Sequence, residues 1–289
     1  MKNKVLMLIA ITITFLLTGC LKTDDMDEIN IITTNYAIEY ATNRLYKENS
    51  TITNIYPNGV NRNEYKFTDK QLKDFSKRSD LLIYDGNTDD KDDALKMLKY
   101  NKGLKIIDAT YQTMYTYRDS DLWLNPSEYL MLIQNIKNEL QDYITDPYLI
   151  KDLDTRYETL KIDITSLDSS LNQAGENSVN TSIVCIDETL LFLKRYGFEV
   201  INLTEDGKEK PANIDIAKNL MDNKKVNYIF VTDENTTNNI TEELISAYNL
   251  KKATFKTLKT LSEQDSNNNE DYLTIMNNNI NLITQETYE

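Results

Sequence analysis

The chain of 289 residues contains no histidine. Ser-His-Asp and Cys-His catalysis, His-ligated zinc and haem on an axial His are therefore excluded. Cysteine is nearly as scarce, with two in the chain, so the usual four N/S ligands of a structural zinc site cannot be assembled within it. Basic side chains are outnumbered, 32 against 46 acidic, and the net charge is −14. A nucleic-acid partner would need a basic face, so none is expected. Also missing are a Gly-rich phosphate loop, a nucleophile elbow and a paired acid-base motif. No enzymatic activity is expected.

What is present is the composition of a folded body, 40% hydrophobic and 27% charged. The length suits about two domains. The N-terminus reads as an address. Lys2 and Lys4 form a positive n-region, and Val5 to Leu17 an apolar run roughly 20 Å long as a helix, short for a bilayer. The run ends in Leu17-Thr18-Gly19-Cys20, a bacterial lipobox, so residues 1–19 read as a signal peptide. Cys20 is the expected lipid attachment site, and 20–27 a lipidated tether. No second apolar run of membrane length follows, so the chain is expected to be anchored rather than spanning. With Cys20 lipidated, Cys185 has no partner for an internal disulfide and reads as a small buried hydrophobe.

Beyond the tether, strands and helices alternate, the mark of βαβ units and parallel sheets. Strands are expected at Asn30–Thr34, Thr51–Tyr56, Asp80–Tyr84 and Leu104–Asp108, then at Thr181–Ile186, Phe198–Leu203, Val226–Val231 and Lys252–Leu258. The polar stretch Ser262–Asn269 reads as a loop. Asp69 is expected to cap one helix, and Asn125-Pro126 and Asp146-Pro147 to start two more. From Leu149 to Leu171, apolar residues recur at steps of three and four until Gly175 stops the run. That helix is on the order of 40 Å long and could serve as a rigid strut. The expected fold is α/β: two Rossmann-like lobes, 28–145 and 176–289, joined by one long rigid helix at 146–175. In such sheets ligands sit outside the carboxyl ends of the strands. Those ends are Tyr56 to Phe67, Asp108 to Asp121, Ile186 to Glu188, and Asp233 onward.

Several segments resemble one family. Asn54-Ile-Tyr-Pro-Asn-Gly-Val60 with Glu64-Tyr65 and Thr68, Leu122-Trp-Leu-Asn-Pro126 with Gln134-Asn-Ile136, Tyr196-Gly-Phe-Glu-Val200, and Tyr272 to Asn278 occur in order around the long helix. They are similar to the zinc/manganese-type ABC-transporter substrate-binding lipoproteins, some of which are also described as adhesins. The resemblance implies a bound metal, manganese or zinc, between two lobes. It also implies an ABC permease and ATPase as partners, a monomer, and a lipid-anchored place on the extracytoplasmic face of a bacterial membrane. The family's ligands are three His and one acid. Those positions fall here on Asn63, Asp121, Ile186 and Glu270, or Asp271 if the loop shifts by one.

Three readings of the site stay open on the residues alone. In the first, Asp121 and Glu270, with Asn63 and the neighbours Glu64, Asp119, Asp187 and Asp271, form an oxygen-rich site suited to Mn²⁺, Ca²⁺ or Mg²⁺. Ile186 contributes nothing to it. In the second, Tyr111, Tyr115, Tyr117 and Trp123, with Arg62 and Arg118, receive a small organic or chelated ligand. In the third, the protein is a degenerate paralogue that binds no solute and acts in surface adhesion or interaction. Asp89-Asp90 and Asp92-Asp93 read as helix-dipole complements without chemistry.

Overall fold

The computed structural model describes residues 24–62, 64–113, 121–233 and 235–288. The expected signal peptide and Cys20 lie outside the described residues, as do Asn63, Tyr115, Tyr117, Arg118 and Asp119.

The first sheet holds β1 (Ile29–Thr33), β2 (Ser50–Asn54), β3 (Leu81–Tyr84) and β4 (Lys105–Asp108) in the order β2-β1-β3-β4. Its three pairings are all parallel. Helices α1 (Tyr36–Tyr46), α2 (Asp69–Arg78) and α3 (Asp90–Tyr100) make the crossovers. The central strands β1 and β3 are largely buried, as strands covered by crossover helices on both faces must be, while the edge strand β2 alternates between exposed and half-buried residues. Ile31, Leu81 and Ile83 enter one apolar cluster, and Ile32, Leu82 and Tyr84 another. Thr68, not Asp69, caps α2, and its box with Gln71 satisfies orphan donors at both residues.

The second sheet holds β5 (Ser182–Cys185), β6 (Glu199–Asn202), β9 (Tyr228–Thr232) and β10 (Lys251–Phe255) in the order β10-β9-β5-β6, again parallel. Read from the other edge, this is the winding of the first sheet. A small antiparallel ribbon, β7 (Thr204–Glu205) with β8 (Lys208–Glu209), follows β6.

Between the sheets run α4 (Pro126–Tyr143) and α5 (Pro147–Glu176). The 30 residues of α5 span about 45 Å. Leu153, Leu160, Ile164, Leu167 and Leu171 form its buried stripe, as the spacing required. The helix runs past Gly175, which does not stop it. A Cβ at Gly175 would lie 1.8 Å from the Tyr196 carbonyl oxygen, so close packing is what excludes a side chain there. Asp24 locks the start of α5: its carboxylate accepts from Met26 N at 2.9 Å and from Thr145 N and Asp146 N at 2.6 Å each.

The later helices are α6 (Pro211–Asp222), α7 (Asn239–Tyr248), α8 (Glu263–Asn267) and α9 (Tyr272–Thr287). The expected loop at Ser262–Asn269 thus contains α8, capped by Ser262. Segment Glu188–Tyr196 winds as 3-10 turns and ends on Gly197 at φ +88°. Cys185 is buried, and burial pushes its thiol well above the ordinary range.

One apolar cluster spans both halves. It joins Ile31, Leu81 and Ile107 of the first sheet with Ile183, Cys185 and Phe230 of the second. Leu132 and Ile136 of α4, with Leu160, Ile164 and Leu167 of α5, belong to the same cluster. A large shared apolar interface opposes relative motion of the lobes.

Candidate functional site

A cavity of about 320 Å³ opens at the carboxyl ends of the first sheet's strands. Tyr56, Arg62 and Lys66 come from the β2–α2 connection, and Thr88, Asp89 and Asp90 from the start of α3. Asp121 and Trp123 precede α4, and Lys259 follows β10 in the second lobe.

The most buried charges lining the cavity are Arg62 and Asp90. Their side chains are 7% and 3% exposed, and Arg62 Nη2 lies 2.6 Å from Asp90 Oδ2. The Tyr56 hydroxyl donates to Asp90 Oδ1 at 3.0 Å, while the Arg62 guanidinium stacks 4.5 Å from the Tyr56 ring centroid. Burial, then the Asp90 charge, raises the Tyr56 hydroxyl above its ordinary range. Among the described residues, Arg62 Nε finds no hydrogen-bond partner and is buried. Asp90 is therefore more than a helix-dipole complement: it neutralises a buried guanidinium. A run of acids at a helix start gives no sign of this in sequence.

Behind this pair, Asp85 follows β3 and is buried. Its Oδ1 accepts from Asn87 N at 3.0 Å and from Thr110 Oγ1 at 3.2 Å. Burial pushes its carboxyl up to about 6, the nearby Asp90 charge adding to the rise. Asp108 Oδ1 accepts from Gly86 N at 3.1 Å. The approach is so close that a Cβ at Gly86 would meet Asp108 Oδ2 at 1.9 Å.

The segment after β10 closes the cavity from the second lobe. Tyr36 N donates to Lys259 O at 2.8 Å, Gly59 N to Leu261 O at 2.9 Å, and Thr260 Oγ1 to Val60 O at 3.2 Å. Trp123 Nε1 donates to Thr257 O at 2.7 Å, and the Tyr272 hydroxyl to Trp123 O at 2.5 Å. Trp123 is thus a packed bridge between the lobes as well as a wall of the cavity.

Of the four matched positions, Asp121 lines the cavity, and its Oδ2 lies 3.5 Å from Lys259 Nζ. Glu270 Oε2 lies 3.8 Å from Lys256 Nζ, which also pairs closely with the buried Asp265. Ile186 is fully buried, its backbone held between Phe230 O and Thr204. Of the neighbours, Glu64 is exposed. Asp187 caps the 3-10 segment through Thr189 N at 3.0 Å and accepts from Asn235 Nδ2 at 3.0 Å. Asp271 caps α9 through Thr274 N at 2.9 Å. Tyr111 is exposed. Among the described residues, no group of three or more His, Cys, Asp or Glu is placed to hold a metal ion. Lys256, Lys259 and Asp265 were missed in the sequence. Carrying the strand-end rule on to the last strand would have reached the two lysines.

Two parallel sheets wound alike, a long helix between them and a cavity at their junction define a two-lobed solute-binding protein. The family model described as zinc-uptake complex component A, periplasmic, matches residues 31–286, and the chain belongs to that family. It is thereby a substrate-binding component of a metal-type ABC importer, a family of solute-binding proteins rather than enzymes. Solved structures share the fold. The metal-dependent lipoprotein YcdH from Bacillus subtilis superposes with a TM-score of 0.75 at 16% identity, covering 91% of this chain and 100% of that one. The Zn(II)-bound ZnuA-like domain of Streptococcus pneumoniae AdcA gives 0.73 at 19%, with the same coverage. The laminin-binding protein Lbp of Streptococcus pyogenes gives 0.74 at 15%, covering 90% and 99%. No curated protein matches by sequence. Among the described residues, no helix is long and apolar enough to cross a membrane.

Proposed function

We propose that this chain is anchored through a lipid on Cys20 at the outer face of a bacterial membrane, where it captures a solute between its lobes as a monomer and passes it to an ABC permease and its ATPase. The solute seats in the cavity beside Trp123. The observation that carries this is the position of the cavity: it lies at the carboxyl ends of parallel strands, beside Asp121, and is closed by the other lobe.

The second of the three readings of the solute, a small organic or chelated ligand, is the one favoured. Asp121 and Glu270 each lie beside a lysine, and Ile186 offers no donor. The cavity meanwhile offers Lys66 and Lys259 to anionic groups, Asp89 and Asp121 to cationic ones, and the rings of Tyr56 and Trp123 as walls. A thermal-unfolding screen of the full chain in detergent tests this, against small zwitterions, organic anions and chelated manganese or zinc. A saturable rise in midpoint that Asp121→Asn weakens is expected. No rise with any of these solutes, or a rise with bare zinc ion alone, would overturn the reading.

A further inference from the structure

We propose that Lys256 and Lys259 are specificity-determining residues: their ammonium groups stand against the two carboxylates at the metal-ligand positions and exclude a bare divalent cation from the cleft. The inference rests on the reading of this cleft as the solute site.

Both lysines come from the segment after β10, which hydrogen-bonds to the first lobe at Tyr36, Gly59 and Val60. Lys256 follows β10 directly, and Lys259 lies one turn of chain later. Lys259 Nζ is 3.5 Å from Asp121 Oδ2, with the two side chains 20% and 19% exposed. Lys256 Nζ is 3.8 Å from Glu270 Oε2 and bonds the Asp265 carboxylate, whose side chain is 7% exposed. These are not freely solvated surface pairs, in which long side chains sample many geometries. The backbone holds Lys259 in place. Its carbonyl accepts from Tyr36 N at 2.8 Å, and the preceding Leu258 is buried in the left-handed region at φ 61°. A leucine takes that conformation at a cost, so the surrounding contacts over-determine the segment.

The chemistry follows from charge and space. A carboxylate oxygen binds a divalent ion at about 2.0–2.6 Å, the space in front of the oxygen that a paired ammonium takes up. An entering ion would have to displace the ammonium and then remain near its charge. Two close like charges in a partly desolvated cleft repel more strongly than in water. A solute that carries its own anionic groups meets no such barrier, because those groups can face the lysines.

The test uses the full chain in detergent with manganese chloride and zinc sulfate alone, read by thermal unfolding and by the Mn²⁺ electron paramagnetic resonance signal. Wild type is expected to show no saturable shift up to about 1 mM of either ion. Lys259→Met keeps the aliphatic stem and removes the charge, and should gain saturable Mn²⁺ binding at least about tenfold tighter than wild type. Lys256→Met/Lys259→Met should gain more. Lys259→Arg should behave as wild type, and Asp121→Asn added to Lys259→Met should abolish the gain. The double variant leaves Asp265 unpaired and can fail to fold, so Lys259→Met, checked by circular dichroism and a cooperative melt, carries the result. Stoichiometric binding by wild type that Lys259→Met leaves unchanged would overturn the proposal, as would no gain in folded Lys259→Met. The importer reading fails separately, by the absence of any shift with organic or chelated solutes, and that outcome leaves the metal-gain measurement intact.

Discussion

In the first lobe, Asp85 follows β3 directly and accepts a hydrogen bond from Thr110 Oγ1, two residues beyond β4. In the second, Asp233 follows β9 directly and accepts from Thr257 Oγ1, two residues beyond β10, at 2.8 Å. Asn35, two residues past β1, caps α1 through Ile38 N, and Asp187, two past β5, caps the 3-10 segment through Thr189 N. The lobes thus repeat one another down to the side chains that close their strand ends. They differ in what is added. The first lobe carries the buried Arg62–Asp90 pair beside Asp85. The second carries Lys256 at the place where the first has Ala109, each being the first residue past the last strand of its sheet. The repeated polar bonds are therefore scaffold, and the unrepeated charges are what set the two lobes apart.

The lobes differ most at the buried Arg62–Asp90 pair. Arg62→Ala should lower stability by about 3–5 kcal/mol in urea unfolding, because it leaves Asp90 buried and unpaired. A loss below about 1 kcal/mol would mean that the pair is solvated and that the lobes differ less than the geometry indicates.

Asp85 sharpens the contrast through pH. Its carboxyl is raised to about 6 by burial, so the folded state holds the proton more tightly than the unfolded chain does. The stability gained from that proton is present below the unfolded value near 4 and is lost as pH rises through about 6. The loss across that window should be about 2–3 kcal/mol, and Asp85→Asn should flatten it. Equilibrium unfolding at a series of pH values measures both slopes; identical slopes would remove Asp85 as the cause.

The smallest effect belongs to the repeated scaffold. Asp187→Ala should cost about 1 kcal/mol, the usual loss of a cap, with no change in the pH slope assigned to Asp85. Unfolding midpoints at two pH values would show it. A loss several times larger would give Asp187 a role beyond capping.

Much of the architecture is legible in the sequence. Each main strand falls within a few residues of its expected place, since buried parallel strands read as short apolar runs between helical periods. The stripe from Leu153 to Leu171 announces a long half-buried helix. Its end falls at Glu176, one residue beyond the expected 175, and Gly175 serves packing against Tyr196 rather than capping. The site is legible only in part. Resemblance singles out Asp121, which lines the cavity, and Glu270, which does not, but not the lysines beside them, because a surface lysine and a lysine paired with a carboxylate look alike in sequence. Asp90 reads as a helix-start charge for the same reason: nothing local reveals that Arg62, 28 residues earlier, is buried against it.

The alternation of strands and helices, the resemblance to the family and the absence of any histidine are all visible in the linear chain. Those are properties of composition, of short-range periodicity and of ordered motifs, all of which a linear chain displays. The single apolar core that joins both sheets, the repeated strand ends of the lobes and the ammonium groups beside Asp121 and Glu270 emerge on folding. Each of these depends on residues far apart in the chain, and parallel sheets with crossover helices bring such residues together only when the whole fold has closed.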